Sequence, residues 1–397
     1  MNKAVTTSAL IISSLLAPKV FSQDKDSAIV PFFFSTETMG ATYGLAGVAK
    51  GVGQPQAALF GMGLYSSKDS YLTFLSAYNY ALSSELLFTA QMYQAHFNEM
   101  PYYLGSQGKN DSRYEDKTVT NSDEEHYQAE FKYLLPWGTF KNEGLNGVFK
   151  PRRNVTTASP LESGVSSISF TPFYSLRKLD ARDREGELAT GFKLTFDWDN
   201  RDSVRNSSRG SHTALDITLG DQNWGFSDAW VKWEFQNSHY FALGPLGDLF
   251  DQQVVAFDIY TADTPTWNQC NGNQCARPPE QEQVSLGGLY RLRGSTSGRY
   301  HGRSAIHYSM EYRVMPEWQP LNDIPVINYY NMPWWQWVVF LESGRVADEY
   351  NLETLHQDMQ WNIGAAVRFQ VEGIVVRAEI AEGSDEGMFR VMINQPF

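Results

Sequence analysis

From Met39 to the C-terminus the chain alternates apolar and polar residues with a period of two, and that rhythm restricts it to strands. In 229–236, Ala229, Val231, Trp233 and Phe235 fall on one face, and Trp230, Lys232, Glu234 and Gln236 on the other. In 361–372, Ile363, Ala365, Val367, Phe369 and Val371 oppose Asn362, Arg368, Gln370 and Glu372. In 374–380, Ile374, Val376, Ala378 and Ile380 oppose Arg377 and Glu379. A soluble sandwich and a transmembrane barrel produce the same alternation, because either a packed core or lipid can face the apolar side. Three features select the barrel. The strands run to about 10–13 residues, which suits a tilted membrane crossing and exceeds the usual five or six. Polar faces carry opposite charges together, as in Glu311/Arg313, Arg368/Glu372 and Arg377/Glu379. Finally, 397 residues would make a very large single sandwich core.

The pattern places strands at 40–50, 56–66, 71–81, 86–97, 124–135, 164–177, 187–199, 211–220, 228–242 and 252–263. Five more follow at 304–315, 334–346, 360–371, 373–382 and 387–396. Single-chain bacterial barrels have even strand numbers, so the expected fold is all-β: a transmembrane antiparallel β-barrel of 16 strands. The missing strand is assigned to 138–162, around Pro151, Arg152 and Arg153. Gly40, Gly44 and Gly47 weaken the first recognised strand, which favours a seam that opens there. Turns at 200–210, 243–251 and Glu372–Gly373 are expected on the periplasmic side, with 264–303 and 383–387 outside. No stretch beyond the first residues approaches the roughly 18 apolar residues of a membrane helix.

Lys3, the small and apolar run Ala4 to Ala17, and Val20-Phe21-Ser22 have the order of a signal peptide covering 1–22. A single barrel domain over 23–397 would remain. Losing Lys3 and Lys19 takes the net charge from −13 to −15, which argues against nucleic acid as a partner. In an oxidising compartment Cys270 and Cys275 read as one local disulfide. The aromatic content of 14% and the 31 glycines suit interfacial girdles and tight turns, although a secreted soluble β-protein could share them.

The segment 264–303 lacks a strand pattern and is long for a loop, which marks it as functional or disordered. It contains Leu286-Gly287-Gly288 and Arg293-Gly294, then Gly298-Arg299-Tyr300-His301-Gly302. Some fifty residues on, Phe340-Leu341-Glu342-Ser343-Gly344 offers a carboxylate on a strand. A guanidinium binds a carboxylate through two parallel hydrogen bonds, so Arg293 and Glu342 would fix such a loop in a barrel lumen. The alternative is a solvated Arg293, with Glu342 paired to Arg313 or Arg368. These stretches resemble the sixth extracellular loop, and the second strand after it, of the BamA/TamA-type bacterial surface antigen superfamily. Asp199-Asn200-Arg201-Asp202 and the run Pro31 to Thr38 resemble that family's Asp-x-Arg-Asp turn and barrel-opening segment.

The resemblance implies a loop folded inward and locked by Arg293, Gly294, Phe340, Glu342 and Gly344. The chain departs from the pattern in having Glu342 for an aspartate and Ser295 for an aromatic, and it is similar to members without POTRA modules. At the end of the chain, Phe389, Val391, Ile393 and Phe397 share a face by counting in twos. A terminal aromatic on such a strand resembles the signal read by the barrel-assembly machinery.

The expected setting is therefore the bacterial outer membrane, with lipid, the assembly machinery and a client polypeptide as partners. The expected function is translocation of protein or lipid across that membrane, or insertion into it. A passive or gated pore and a structural surface antigen are the alternatives. The seven histidines fall in no arrangement of nucleophile, base and orienter, and no metal, phosphate-loop or cofactor motif appears, so no enzyme is expected.

Overall fold

The computed structural model describes residues 27–36, 39–182, 186–221, 229–272, 274–324, 328 and 330–397. The expected leader, 1–22, lies outside the described residues. Sixteen strands form one antiparallel sheet. It begins with β1 (Ser27–Thr36), β2 (Gly40–Lys50), β3 (Ala58–Ser66), β4 (Tyr71–Ala81), β5 (Leu86–Tyr102) and β6 (Thr118–Leu134). Next come β7 (Val165–Leu179), β8 (Glu187–Asp199), β9 (Gly210–Asp221), β10 (Trp230–Leu246) and β11 (Phe250–Asp263). Four short strands then make two small hairpins, β12 (Cys270–Asn271) with β13 (Gln274–Cys275), and β14 (Val284–Leu286) with β15 (Tyr300–Gly302). The large sheet resumes with β16 (Ser304–Pro316), β17 (Trp335–Ala347), β18 (Gln360–Val371), β19 (Ile374–Gly383) and β20 (Gly387–Ile393). Its strands pair in sequence order, and β11 pairs directly with β16 across the inserted segment.

The expected count of sixteen strands matches, but not the place of the unrecognised one. Residues 138–162 form helix α1 (Gly138–Val148) and a loop, and Phe140 of α1 packs on Leu87, Leu134 and Val165. The additional strand is β1, whose run Ile29-Val30-Pro31-Phe32-Phe33-Phe34 is continuously apolar and so shows no alternation. Gly40, Gly44 and Gly47 accordingly belong to the second strand, not to an edge. Gly44 pairs with Phe32, whose ring lies where a Cβ at 44 would sit, so this glycine makes room for an aromatic neighbour.

The faces of the sheet are inverted relative to a water-soluble protein. On β16 to β19 the charged residues Glu311, Arg313, Glu342, Arg368, Arg377 and Glu379 are buried. The alternate face leaves Val339 55%, Ile363 54% and Ile380 59% exposed. The sheet also curls. Arg299 touches both Ser112, in the β5–β6 loop, and Asp385, in the β19–β20 turn. A flat sheet would hold those elements about 45 Å apart, at nearly 5 Å per strand. Because neighbours are antiparallel, the turns at 200–209, 247–249 and 372–373 share one end with the C-terminus, and 264–303 and 384–386 share the other.

Candidate functional site

The segment between β11 and β16 lies against the buried, charged face of β16 to β20. Its frame is the β14–β15 hairpin, in which Val284 pairs with Gly302 and Leu286 with Tyr300. Val284, Leu286, Leu292 and Tyr300 pack with Tyr260, Ala262, Ala305 and Val346 in one apolar cluster. Within the hairpin the chain reverses at Gly287, where φ is +97° and a Cβ would fall 2.4 Å from the Thr296 carbonyl oxygen. The turn presents Arg293 at its tip.

Arg293 is 1% exposed and meets three carboxylates. Its backbone N–H donates to Glu342 Oε2 at 2.6 Å and its Nε to Glu342 Oε1 at 2.9 Å. Its Nη1 lies 2.8 Å from Glu311 and 3.2 Å from Glu379. The guanidinium carbon sits 3.6 Å above the centre of the Phe340 ring, a cation–π contact in a desolvated place. The structure thus brings Arg293, Phe340 and Glu342 together, while Arg313 and Arg368 turn to Glu311 instead. Arg368 grips Glu311 with two bonds of 2.6 and 2.9 Å, and Arg313 Nε adds a third at 2.7 Å. Arg377 pairs with Glu379 as the sequence suggests. Glu372, read as sharing the polar face with Arg368, sits instead in the β18–β19 turn and accepts the Asn331 N–H. One residue past the strand end, its side chain leaves the row that Arg368 occupies.

Gly294 and Gly344 serve by their small size. The Gly294 N–H donates to Asn362 Oδ1 at 3.1 Å, and a Cβ on Gly294 would lie 2.9 Å from Asn362 Nδ2. A Cβ on Gly344 would meet Leu286 at 2.9 Å and the Ile306 carbonyl at 3.0 Å. Gly294→Ala is therefore expected to push the turn off Asn362 and cost about 1–3 kcal/mol, the usual range for overpacking. Earlier proteolytic cleavage within 284–302 is the readout, and unchanged resistance would contradict the close fit.

Four partners escaped the sequence reading. Arg390 donates to the carbonyls of Ser295 at 2.6 Å and Arg293 at 2.9 Å, and also to that of Gly288. Arg377 takes the Leu289 carbonyl at 2.5 Å. Glu311 and Glu379 complete the shell around Arg293. All four stand on polar strand faces, but only the register shows which of them meet. Glu379 opposes Arg390, and Ser309 opposes Glu342. Ser295, where the family resemblance leads one to expect an aromatic, is buried and held through its backbone.

A second carboxylate, Glu386 in the β19–β20 turn, accepts the Thr296 N–H at 2.6 Å and its hydroxyl at 2.7 Å. Burial holds this carboxyl above its usual 4.5, and the Thr296 hydrogen bonds only partly oppose that shift. A raised folded value means the folded state binds the extra proton. Stability should then fall as pH rises from about 4.5 and level off above the folded value. Glu386→Gln is expected to remove that slope in melting temperatures taken from pH 4 to 8; an unaltered slope would assign it elsewhere.

Towards the end of the molecule that carries this segment, Arg299 is buried between the Tyr103 and Tyr300 rings and bonds Ser112 and Asp385. His301 contacts the Tyr103 carbonyl at 2.7 Å. Cys270 and Cys275 form a disulfide across the β12–β13 hairpin, on the exposed arm of the segment.

The chain terminus differs from the expected single row. β20 stops at Ile393, and Asn394 takes φ +74°. Phe389, Val391 and Ile393 remain on the strand, but Phe397 turns to the buried face, against Tyr240, Val254 and Ala256. Counting by twos fails once the backbone leaves the extended conformation. Gln395 bonds Arg368 at 2.7 Å and the Arg205 carbonyl at 3.0 Å, anchoring this tail.

No family model matches the chain, and neither does any curated protein. Its fold is shared by solved structures. BamA from Haemophilus ducreyi lacking POTRA domains 1–3 aligns at TM-score 0.52 and 13% identity, over 93% of this chain and 70% of that one. CdiB from Acinetobacter baumannii aligns at TM-score 0.54 and 12% identity, over 93% of this chain and 59% of that one. CdiB from Escherichia coli aligns at TM-score 0.53 and 11% identity, over 92% and 61%. The chain thus spans about three fifths of the length of the CdiB proteins. At these identities the likeness is one of fold: a sixteen-stranded antiparallel sheet of the BamA and CdiB kind.

Proposed function

We propose that the sheet is the wall of an outer-membrane barrel, with 264–303 folded into its lumen, and that it inserts or translocates polypeptide at the seam between β1 and β20. The observation that carries this is the order of the strands. Among the described residues the ladders run from β1 to β20, and none joins the two. Unpaired backbone groups facing hydrocarbon cost several kcal/mol each. An edge of this kind therefore favours a strand that can pair with it. β1 has the marks of an edge, because it contains Pro31, and proline in a sheet is confined to edges, strand starts and bulges. β20 is the shortest strand of the large sheet, at 7 residues. The inverted faces support the membrane setting: exposed Val339, Leu341 and Ile363 suit lipid, and the buried arginines and glutamates suit a lumen. The resemblance to the BamA/TamA-type superfamily supports polypeptide as the cargo.

The buried segment disfavours a steady open pore. On this reading the Arg293 network would hold a loop where a conducting path would run, so a pore requires that loop to leave. Site-specific photo-crosslinking in living cells tests the main reading. Probes at Phe33 and Val391, on the two edge strands, are expected to capture polypeptide, and a probe at exposed Phe257 on β11 is not. A disulfide joining β1 to β20 should abolish the capture. Equal labelling from all three positions, or capture that survives the disulfide, would sink the seam mechanism.

A further inference from the structure

Membrane barrels turn apolar residues outward and polar ones inward, and β1 to β4 depart from that rule. One rung of the ladders joins Val30, Ala46, Met62 and Phe74 across the four strands. The rungs beside it add Val48 with Phe60, and Leu64 with Leu72. These side chains are all half-buried. Followed round the sheet, the pairings put them on the face that carries Glu342. The opposite face is apolar as well, with Leu45 and Leu75 exposed. So β1 to β4 present an apolar wall where β16 to β19 present buried arginines and glutamates.

This wall has nothing to offer a hydrogen-bonding ligand. The backbone of β2 to β4 is engaged in ladders on both sides. Ser76, in the rung of Val48 and Phe60, donates to the Ala90 carbonyl at 3.0 Å. A polypeptide laid there would bury amides without partners. A hydrocarbon chain has none to satisfy, and covering the wall takes apolar surface out of water on both partners. From Lys50 to Gly44 the wall rises about 20 Å. One leaflet of a bilayer's hydrocarbon core is about 15 Å thick, so an acyl chain fits along it.

An independent feature stands at one end of the wall. Lys50 ends β2, two residues beyond Val48 and on its face. A Cβ built on Gly373, in the β18–β19 turn, would lie 3.5 Å from Lys50 Nζ and 3.8 Å from the guanidinium carbon of Arg205. Two cations thus close on one point. Among the described residues no ion pair includes Lys50 or Arg205. The carboxylate of Glu372, next to that point in sequence, accepts the Asn331 N–H instead. Like charges gathered in this way favour an anion between them.

We infer that the wall binds a glycerophospholipid, with its phosphate between Lys50 and Arg205 and an acyl chain along Val48, Phe60, Met62 and Phe74. This site rests on the barrel reading, in which the face is interior and flanks the seam.

Native mass spectrometry of the full chain, released from maltoside micelles after incubation with phosphatidylglycerol, tests the site. One lipid per chain is expected to stay bound. Lys50→Gln with Arg205→Gln should weaken retention roughly tenfold or more, the scale of lost charge-assisted contacts. Met62→Gln, which sets an amide against the acyl chain, should weaken it too, and Leu45→Gln on the opposite face should not. Unchanged melting temperatures verify that the variants fold. Retention that survives both inner changes, or that falls equally with Leu45→Gln, would overturn the site and leave only lipid around the outside. Glycerol phosphate binding as tightly as the lipid would overturn it as well. Polypeptide capture at Phe33 and Val391 reports separately on the barrel and its seam, so intact capture without retained lipid removes this site alone.

Discussion

Arg293→Ala is expected to lower the stability of the folded chain by about 3–5 kcal/mol, the usual result of removing one member of a buried ionic group. The loss has two parts. Glu342, Glu311 and Glu379 stay buried, and the guanidinium that met all three is gone. The turn at 287–298 also loses its central anchor, since Phe340 no longer has a cation above its ring. Arg293→Lys should recover only part of the loss. An ammonium cannot reproduce the fork that sends Nε to Glu342 and Nη1 to Glu311 and Glu379. Single substitution should nevertheless loosen the segment rather than expel it, because Arg390 and Arg377 still hold the carbonyls of Gly288, Leu289, residue 293 and Ser295. Arg293→Ala combined with Arg390→Ala should release it. Melting in detergent reads the first effect, and planar-bilayer conductance reads the second, as currents that are small in the wild type and large in the double variant. A double variant with wild-type melting and wild-type currents would show that the segment is held by its apolar cluster alone.

Which parts of this arrangement are legible in the sequence follows from what each signal measures. Period-two alternation reports a strand with two unlike faces, so β16 to β19 stand out at once. β1 does not, because Ile29 to Phe34 are apolar on both faces and Pro31 interrupts the run. The same blindness made 138–162 the apparent place for a strand, although Phe140, Leu145 and Val148 are spaced for helix α1 to pack on Leu87 and Leu134. Arg293 and Glu342 are legible because a turn of glycines isolates one and a motif marks the other. Arg390, Glu379 and Asn362 are not, since their roles depend on which residues of neighbouring strands face each other. A register is fixed by turns and by pairing between whole strands. Local spacing carries no record of it.

Phe397→Ala is expected to cost about 3–5 kcal/mol in unfolding measured on purified protein, as for other fully buried aromatic truncations. Phe397 is 6% exposed, and its ring centre lies 6.3 Å from that of Tyr240, with Val254 and Ala256 completing the contact. Arg313 adds a second component, because its guanidinium carbon is 5.3 Å from the centres of both the Tyr240 and Phe397 rings. Phe397→Leu should keep most of the burial and lose the share due to the cation, about 0.5–2 kcal/mol. These values separate two roles that a terminal aromatic can have. An assembly signal acts on the unfolded chain, so its loss lowers the amount of barrel that reaches the membrane without changing the melting of what does. An internal anchor acts on the folded state, so its loss lowers the melting temperature even after refolding in detergent. Phe389→Ala, on the strand that Phe397 leaves, is expected to show the first behaviour and Phe397→Ala the second. Equal melting of Phe397→Ala and wild type would restore the terminal ring to the role of signal. A lowered melting temperature that Phe397→Leu largely recovers would place the terminus among the parts that hold β20 to β10, β11, β16 and β18 across the buried face.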